Sequence, residues 1–151
     1  MSLVTFINLF LFILSMTIRL GKFDINFLKK IEDYKKIHIN PRDCICYTIY
    51  KNNKKVGVIG LYQKENNYFL KIGIHQNFRG QGVFGKALSL LIRKHKINKI
   101  YSTIALANKT SIVAHEKLGF RRISLKEEED LKNKGSLLKR NIRMVKLCQR
   151  K

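Results

Sequence analysis

The run Phe69-Leu70-Lys71-Ile72-Gly73-Ile74, followed by Arg79-Gly80-Gln81-Gly82-Val83-Phe84-Gly85, is the most informative part of this chain. The first run is predicted to be a strand, and helical periodicity starts directly after the glycines. A strand, a glycine-rich loop and a helix start form a typical anion site, because backbone N–H groups converge and the helix N-terminus adds positive potential. Glycine also lets the main chain approach a phosphate closely. We therefore expect a phosphorylated ligand here.

This loop differs from two well-known phosphate motifs. No Gly-Lys-Ser/Thr ends it, as a Walker A loop requires, and the spacing of its glycines is not that of the Rossmann fingerprint. Taken alone, the loop is also compatible with a simple turn that needs positive φ. A second motif lies further along the chain, where residues 108–120 read Asn-Lys-Thr-Ser-Ile-Val-Ala-His-Glu-Lys-Leu-Gly-Phe.

Together the two segments resemble the Gcn5-related N-acetyltransferase (GNAT) superfamily. The acetyl-CoA loop of that family reads Gln/Arg-x-x-Gly-x-Gly/Ala, which aligns with residues 79–84. Its downstream motif has an Asn and a short helix ending in Tyr-Glu-Lys-x-Gly-Phe, which aligns with residues 108–120. The resemblance is best over residues 55–120. Two positions depart from the pattern, since Phe84 replaces the second small residue of the loop and His115 replaces the Tyr.

The resemblance implies an acetyl-CoA-dependent N-acetyltransferase, in which an amine attacks the thioester directly in a ternary complex. The acceptor would be a small amine, an amino sugar or a peptide N-terminus. The CoA pyrophosphate would lie on the backbone N–H groups of the loop, namely Arg79, Gly80, Gln81, Gly82, Val83, Phe84 and Gly85. The pantetheine arm would pair with the edge of the strand Ile72-Gly73-Ile74, with a bend at Gly73 and the backbone N–H near Ile74 as oxyanion donor.

Further along the chain, the resemblance assigns Asn108 and His115 to the same cofactor. Asn108 would contact the CoA arm, cap the helix, or do both. The family's Tyr at the position of His115 donates a proton to the leaving thiolate. A protonated His115 could do this work, although only a minority would be charged near pH 7. Alternatively, His115 is a helix residue that hydrogen-bonds or stacks near the CoA without moving protons.

Two other groups of residues are candidates for roles in catalysis. His75 could deprotonate an amine through water, but a plain loop role is the favoured interpretation. The segment Glu127-Glu128-Glu129-Asp130 holds four of the ten acidic residues and is predicted to lie between the last two strands. It would either attract a cationic amine or form a solvated loop that neutralises nearby lysines.

The composition indicates one folded domain with a strong positive charge. The 151 residues include 31 Lys and Arg against 10 Asp and Glu, a formal net charge of +21. Such a charge favours acidic partners, or it reflects compositional drift. A basic GNAT-fold module that binds RNA or the ribosome is therefore the alternative function. No cysteine or histidine spacing predicts a metal site, and Cys44, Cys46 and Cys148 fit a reducing cytosol.

The first residues are unusually apolar. Residues 3–18 carry no charge, yet this run is shorter than the roughly 20 residues of a comfortable membrane span. A short anchor, a first element of the fold and a non-native start are all compatible with it. We expect residues 1–15 to be an extension and residues 16–151 to be the acetyltransferase domain, beginning near Met16. A cytoplasmic location is expected, with membrane association through residues 3–18 as an open possibility.

The remaining patterns predict a mixed, mostly antiparallel central sheet flanked by helices, that is, an α+β fold of the GNAT type. Asp24 is predicted to cap a first helix with Ile25, Leu28, Ile31 and Tyr34 on its inner face. Further helices are predicted over 83–96 and 108–118. The expected strands cover residues 16–20, 44–50, 55–63, 67–74, 99–105, 120–125 and 142–147.

Overall fold

A computed structural model describes residues 1–15 and 17–149. It contains seven strands, in chain order β1 (Ile18–Lys22), β2 (Ile45–Lys51), β3 (Lys54–Lys64), β4 (Asn67–Ile74), β5 (Lys99–Ala105), β6 (Arg121–Arg122) and β7 (Asn141–Leu147). Its α-helices are α1 (Leu3–Ser15), α2 (Ile25–Leu28), α3 (Val83–His95), α4 (Lys109–Lys117) and α5 (Leu125–Asn133). Short 3-10 helices cover Tyr34–Lys36 and Gln76–Phe78.

The strands form one sheet in the order β1-β2-β3-β4-β5-β7-β6. The pairs β1–β2, β5–β7 and β6–β7 are antiparallel, whereas β4 pairs with β5 in parallel at Tyr68–Ile100 and Phe69–Tyr101. The predicted α+β class with a mixed, mostly antiparallel sheet is therefore confirmed.

Two tight turns join β2, β3 and β4. Asn52 and Asn53 have φ of 50° and 63°, and Glu65 and Asn66 have φ of 50° and 63°. Two consecutive left-handed residues are the signature of the hairpin turn whose twist matches that of the flanking strands.

The chain divides into two compact units. The first comprises residues 1–60 and 72–94, and the second comprises residues 61–71 and 95–151. The boundaries fall inside β3 and β4, so each of these strands contributes residues to both units.

In the first unit, the segment around α2 packs on β3. The buried cluster is Phe27, Leu28, Ile31, Ile39 and Val58, with Phe23, Tyr34, Ile37 and Cys46 against it. Asp24 caps α2 as predicted, because its Oδ1 accepts hydrogen bonds from the backbone N of Asn26 (2.9 Å) and of Phe27 (3.1 Å). The expected inner position of Ile25 is wrong, since this side chain is 43% exposed. The α-helix ends at Leu28, so its periodicity does not govern the whole segment.

In the second unit, β5 alternates strictly between two faces, whereas β7 has two consecutive buried residues near its end. On β5, Ile100, Ser102 and Ile104 are buried, while Tyr101 and Thr103 are on the opposite face. Ile142, Met144 and Val145 of β7 complete this part of the core.

The acidic segment differs from its expected structure. Residues 125–133 form α5 rather than a loop, and β6 is limited to Arg121–Arg122 instead of extending over residues 120–125. The cause is a capping box: the Ser124 side chain accepts from the backbone N of Glu127, and the Glu127 side chain accepts from the backbone N of Ser124.

Residues 3–15 form the helix α1, on which the large apolar side chains from Leu3 to Leu11 are exposed. Among the described residues, no helix is both long enough and apolar enough to cross a membrane. Met16, the expected start of the domain, lies outside the described residues, and that boundary stays a prediction. The three cysteines are free thiols.

Candidate acetyl-CoA site

The glycine-rich loop has the backbone that an anion site needs. Gly80 and Gly82 have φ of +74° and +76°, the left-handed region that favours glycine. A Cβ atom added at either residue would have no neighbouring heavy atom within 4 Å, so the space beside both is open. The positive φ that the glycines suggested is thus present, and the backbone of the loop is open at both glycines.

The N–H groups of this loop are available. Within the described part of the chain, the backbone N–H groups of Gly80, Gln81, Gly82 and Val83 donate no hydrogen bond. Helix α3 begins at Val83, so its macrodipole adds to their partial charge, and its first turn contains no acidic residue. These donors fit the oxygens of a phosphate or pyrophosphate.

The loop's own long side chains hold its shape. Arg79 Nε donates to the Ile74 carbonyl at 3.0 Å, and Arg79 Nη1 contacts Glu32 Oε2 at 3.1 Å. Gln81 Nε2 donates to the Asn77 carbonyl at 3.2 Å. Since both side chains are used inside the first unit, Arg79 and Gln81 would serve a ligand mainly through their backbone.

A further contact reaches the loop from β2, where Lys51 Nζ donates to Gln81 Oε1 at 2.9 Å. Neither this lysine nor Glu32 was identified from the sequence. Both are distant from the loop along the chain, and no local pattern marks them.

Helix α3, which follows the loop, is fixed by burial of one face. Val83 is buried at its first position, and Ala87, Leu88 and Leu91 follow on the same face. Phe84 and Gly85 lie in the first turn of this helix and are half-buried. The unusual Phe84 is thus a half-buried residue of the first turn of α3. The glycines before it, Gly80 and Gly82, still have positive φ.

Gly73 of β4 is explained by packing. A Cβ atom there would collide with Cδ1 of Ile37, and a Cβ on Gly57 would lie 2.7 Å from the Gly73 carbonyl oxygen. Its φ is not in the left-handed region. At the strand end, the His75 backbone N donates to the Val56 carbonyl at 2.8 Å. The oxyanion role of the Ile74 N–H, and the pantetheine edge over Ile72–Ile74, stay predictions.

Asn108 lies in the second unit and caps α4. Its Oδ1 accepts from the Ser111 backbone N at 3.1 Å, which confirms the capping interpretation. The side-chain amide Nδ2 is the part that a contact with the CoA arm would use.

His115 is buried in the second unit and has a partner at each ring nitrogen. Its Nε2 lies 2.9 Å from Ser102 Oγ, and its Nδ1 lies 2.7 Å from the Ser111 carbonyl oxygen. The Phe120 ring meets it edge-on at 5.0 Å between centroids. Burial lowers the pKa of His115 below 6.5. This environment favours a neutral imidazole and disfavours the proposed proton donor.

His75 has the structural role that was favoured. Its Nδ1 accepts from the Asn77 backbone N at 3.3 Å, which caps the 3-10 helix, and its ring stacks on Phe27 at 6.2 Å. The acidic segment is helical rather than a loop. Within it, Glu128 is buried and neutralises Arg122 and Lys132, so this residue is not available to an amine, whereas Glu127, Glu129 and Asp130 are exposed.

Comparisons with known proteins agree with this geometry. Residues 25–121 match the family model of the acetyltransferase (GNAT) domain. No significant match is found among curated proteins. An acetyltransferase from Bacillus subtilis in complex with CoA has a TM-score of 0.66 at 14% identity, covering 89% of this chain and 99% of that one.

Two other solved structures have the same fold. A GNAT family acetyltransferase from Elizabethkingia anophelis with acetyl-CoA bound has a TM-score of 0.62 at 18% identity, covering 89% of this chain and 99% of that one. The ribosomal-protein-S18-alanine N-acetyltransferase from Escherichia coli has a TM-score of 0.61 at 13% identity, covering 89% and 96%. The family match spans well over half of the sequence and includes the glycine-rich loop: the chain belongs to the GNAT acetyltransferase family.

Proposed function

We propose that this protein is an acetyl-CoA-dependent N-acetyltransferase, which transfers the acetyl group to an amine by direct attack in a ternary complex. One observation carries the proposal. The loop at Gly80 and Gly82 is open, and it leads into the start of α3. Among the described residues, the backbone N–H groups of residues 80–83 have no hydrogen-bond acceptor. Such donors bind the pyrophosphate of acetyl-CoA, whose oxygens accept several hydrogen bonds at once.

The likeness to neighbours that hold CoA or acetyl-CoA supports the choice of this ligand over other phosphates. The proposal uses β4 as a second element. Its described parallel pairs with β5 lie at Tyr68 and Phe69, near the beginning of the strand. The backbone of Ile72, Gly73 and Ile74 beyond these pairs would hold the amides of pantetheine, with the Ile74 N–H directed at the acetyl oxygen.

The acetyl transfer itself has a simple balance. The neutral amine nitrogen forms a bond to the thioester carbon and loses one proton, the C–S bond breaks, and the CoA thiolate leaves and takes up one proton, so that an amide and the CoA thiol result. The thiol of a cysteine side chain has an ordinary pKa of about 8.5, and an alkyl thiolate of this kind takes up a proton from solvent near neutral pH. His115 is not needed as the acid, which agrees with its buried, neutral environment.

The test is release of free CoA from acetyl-CoA, followed with a thiol reagent, in the presence of a polyamine, an amino sugar, free amino acids or a short peptide. Gly82→Glu places a carboxylate on the proposed phosphate site. Gly135→Glu is the matched control, because Gly135 also has positive φ (+70°) and open space but lies outside the loop.

We expect amine-dependent CoA release by the wild type and by Gly135→Glu, with a loss of at least about tenfold in Gly82→Glu. Equal activity of Gly82→Glu would contradict the phosphate site. If acetyl-CoA binds but no amine releases CoA, the protein is a GNAT-fold binding module, and salt-sensitive binding of RNA becomes the next measurement.

A further inference from the structure

The second unit contains a cavity of about 530 Å³ that the acetyl-CoA site does not use. It is bounded by the ends of β3 and β4, by β5 and β7, and by α5. Its residues all belong to the second unit, and none comes from the glycine-rich loop. The volume is within the range of small-molecule sites.

Arg143 is one of the charged residues that line this cavity. Its guanidinium Cζ lies 4.8 Å above the centre of the Phe69 ring. Among the described residues, it makes no ion pair or hydrogen bond, and its Nε is buried without a partner. A buried donor without an acceptor is costly, and a carboxylate from a ligand would satisfy the planar guanidinium with two parallel hydrogen bonds.

Three aromatic rings form one wall. Phe69 stacks on Tyr101 with centroids 5.5 Å apart at 26°, and Tyr62 lies 5.6 Å from Phe69 at 48°. Leu70 and Ile123 add buried apolar surface. This wall fits the apolar part of a ligand whose anionic end is bound by Arg143.

The rim has the opposite charge. Glu65, Glu127 and Asp130, three of only ten acidic residues in a chain of net charge +21, line this one cavity. Glu127 is occupied by the Ser124 cap, whereas the Glu65 and Asp130 side chains have no described ion pair. With Lys64, Lys71 and Arg143, the cavity lining has three groups of each sign. A neutral lining with both signs fits a zwitterion better than a simple anion or cation.

We propose that this cavity binds a free α-amino acid with an apolar side chain. The carboxylate pairs with Arg143, the side chain packs on Phe69 and Tyr101, and the ammonium group faces the acidic rim at Asp130. The inference stands apart from the proposed acetyl transfer, because it concerns binding alone and requires no acetyl-CoA.

The test is a titration of the ¹⁵N-labelled full chain without acetyl-CoA, followed by amide chemical shifts. L-Phenylalanine carries both charges and a ring. 2-Phenylethylamine lacks only the carboxylate, and 3-phenylpropionate lacks only the ammonium group. We expect saturable shifts around Phe69, Tyr101 and Arg143 with phenylalanine, and at least about tenfold weaker binding of either analogue.

Arg143→Gln removes the charge and keeps a shorter polar side chain, and we expect it to weaken phenylalanine binding at least about tenfold. Arg140→Gln is the matched control, since Arg140 does not line the cavity, and it should bind as the wild type does. Asp130→Asn provides a second variant at an exposed position where folding is not at risk, and it should selectively weaken ligands that carry an ammonium group.

Several outcomes would overturn the inference. If 2-phenylethylamine binds as tightly as phenylalanine, or if Arg143→Gln binds normally, the carboxylate does not use Arg143. If 3-phenylpropionate equals phenylalanine, the acidic rim plays no part and the ligand is a simple anion. If none of the standard L-amino acids gives saturable shifts, the cavity does not bind free amino acids. Acetyl transfer can be present or absent in each case, so the two proposals fail independently.

Discussion

At His115, the hydrogen bonds define which ring nitrogen carries the proton of the neutral imidazole. The Ser111 carbonyl oxygen can only accept, so Nδ1 carries the proton, and Nε2 is the acceptor for the Ser102 hydroxyl. The sequence identified this residue correctly as the unusual member of its motif. It could not show that both ring nitrogens are occupied, because Ser102 comes from β5 and is not part of the motif.

The stability of the protein should therefore depend on pH through His115. Its folded pKa is lower than its unfolded value of 6.5, so the unfolded chain binds more protons in this region. The neutral form stabilises the fold above 6.5, and this contribution is lost as pH falls through the folded pKa. We expect His115→Gln to lose this part of the pH dependence when urea unfolding is compared at about pH 7.5 and about pH 5.5. Parallel curves for both proteins would contradict the assignment.

Glu128 forms the strongest ion pair of the second unit. Its Oε2 accepts from Arg122 Nε at 2.8 Å, and its Oε1 accepts from Arg122 Nη2 at 2.6 Å and from Lys132 Nζ at 2.8 Å. These cations lower the pKa of Glu128 from 4.5 to about 2. Glu128 thus stabilises the fold by pairing with two cations, a role that the clustering of acids alone could not reveal.

We expect Glu128→Gln to reduce the free energy of unfolding by about 2 kcal/mol at neutral pH, because it leaves Arg122 without its carboxylate. The loss should shrink below pH 4.5 and vanish towards pH 2, since a depressed carboxyl pKa stabilises only while the group is ionised. Denaturant unfolding over this range measures it. Glu129→Gln, an exposed neighbour on the same helix, should change stability by less than about 0.5 kcal/mol. Equal losses in both variants would show that helix charge, rather than this pair, is responsible.

At the scale of elements, periodicity and turn residues predicted most of the fold. The bounds of β4 and β5 were predicted correctly, since both are flanked by turn or helix signals. The predicted bounds are wrong where a tertiary or capping contact determines where an element begins or ends. The predicted strand after Phe120 stops at Arg122, because Ser124 and Glu127 start a helix whose capping box was not recognised.

The importance of this capping box can be measured. Ser124→Ala removes the acceptor for the Glu127 N–H and should reduce the free energy of unfolding by about 1 kcal/mol, with faster amide exchange in the first turn of α5. Ser89→Ala is the matched control, because Ser89 is exposed in the middle of α3, where alanine is at least as good a helix former. If both variants unfold like the wild type, the capping box does not determine where α5 begins.

For the whole molecule, the net charge of +21 is a source of self-repulsion. The ion pairs Lys36–Asp33, Lys55–Asp24 and Arg79–Glu32 are exposed or partly exposed and contribute little. Raising the salt concentration screens the repulsion between like charges over the whole surface. It also weakens these exposed ion pairs, but their contribution to stability is small.

We therefore expect the melting temperature to rise when NaCl is increased from about 0.01 M to about 0.15 M, over which the screening length falls from about 30 Å to about 8 Å. Differential scanning calorimetry measures this directly. Sucrose at matched osmolality is the control for general solvent effects. A melting temperature that falls with salt would mean that favourable ion pairs outweigh the repulsion.

The candidate site could be predicted only in part. The glycines of the loop and the cap at Asn108 were identified because both are local backbone features. Two features depend on residues far apart in sequence. One is the contact of Glu32 and Lys51 with the loop, and the other is the position of Arg143 over the Phe69 ring. Such contacts leave no periodic or motif signal.

The central claim is that the loop at Gly80 and Gly82 binds acetyl-CoA. Calorimetric titration of acetyl-CoA at moderate salt into the wild type, Gly82→Glu and Gly135→Glu tests it most directly. The account predicts saturable binding near one molecule per chain for the wild type and Gly135→Glu, and at least about tenfold weaker binding for Gly82→Glu. No saturable binding by the wild type, or equal binding by Gly82→Glu, would contradict it.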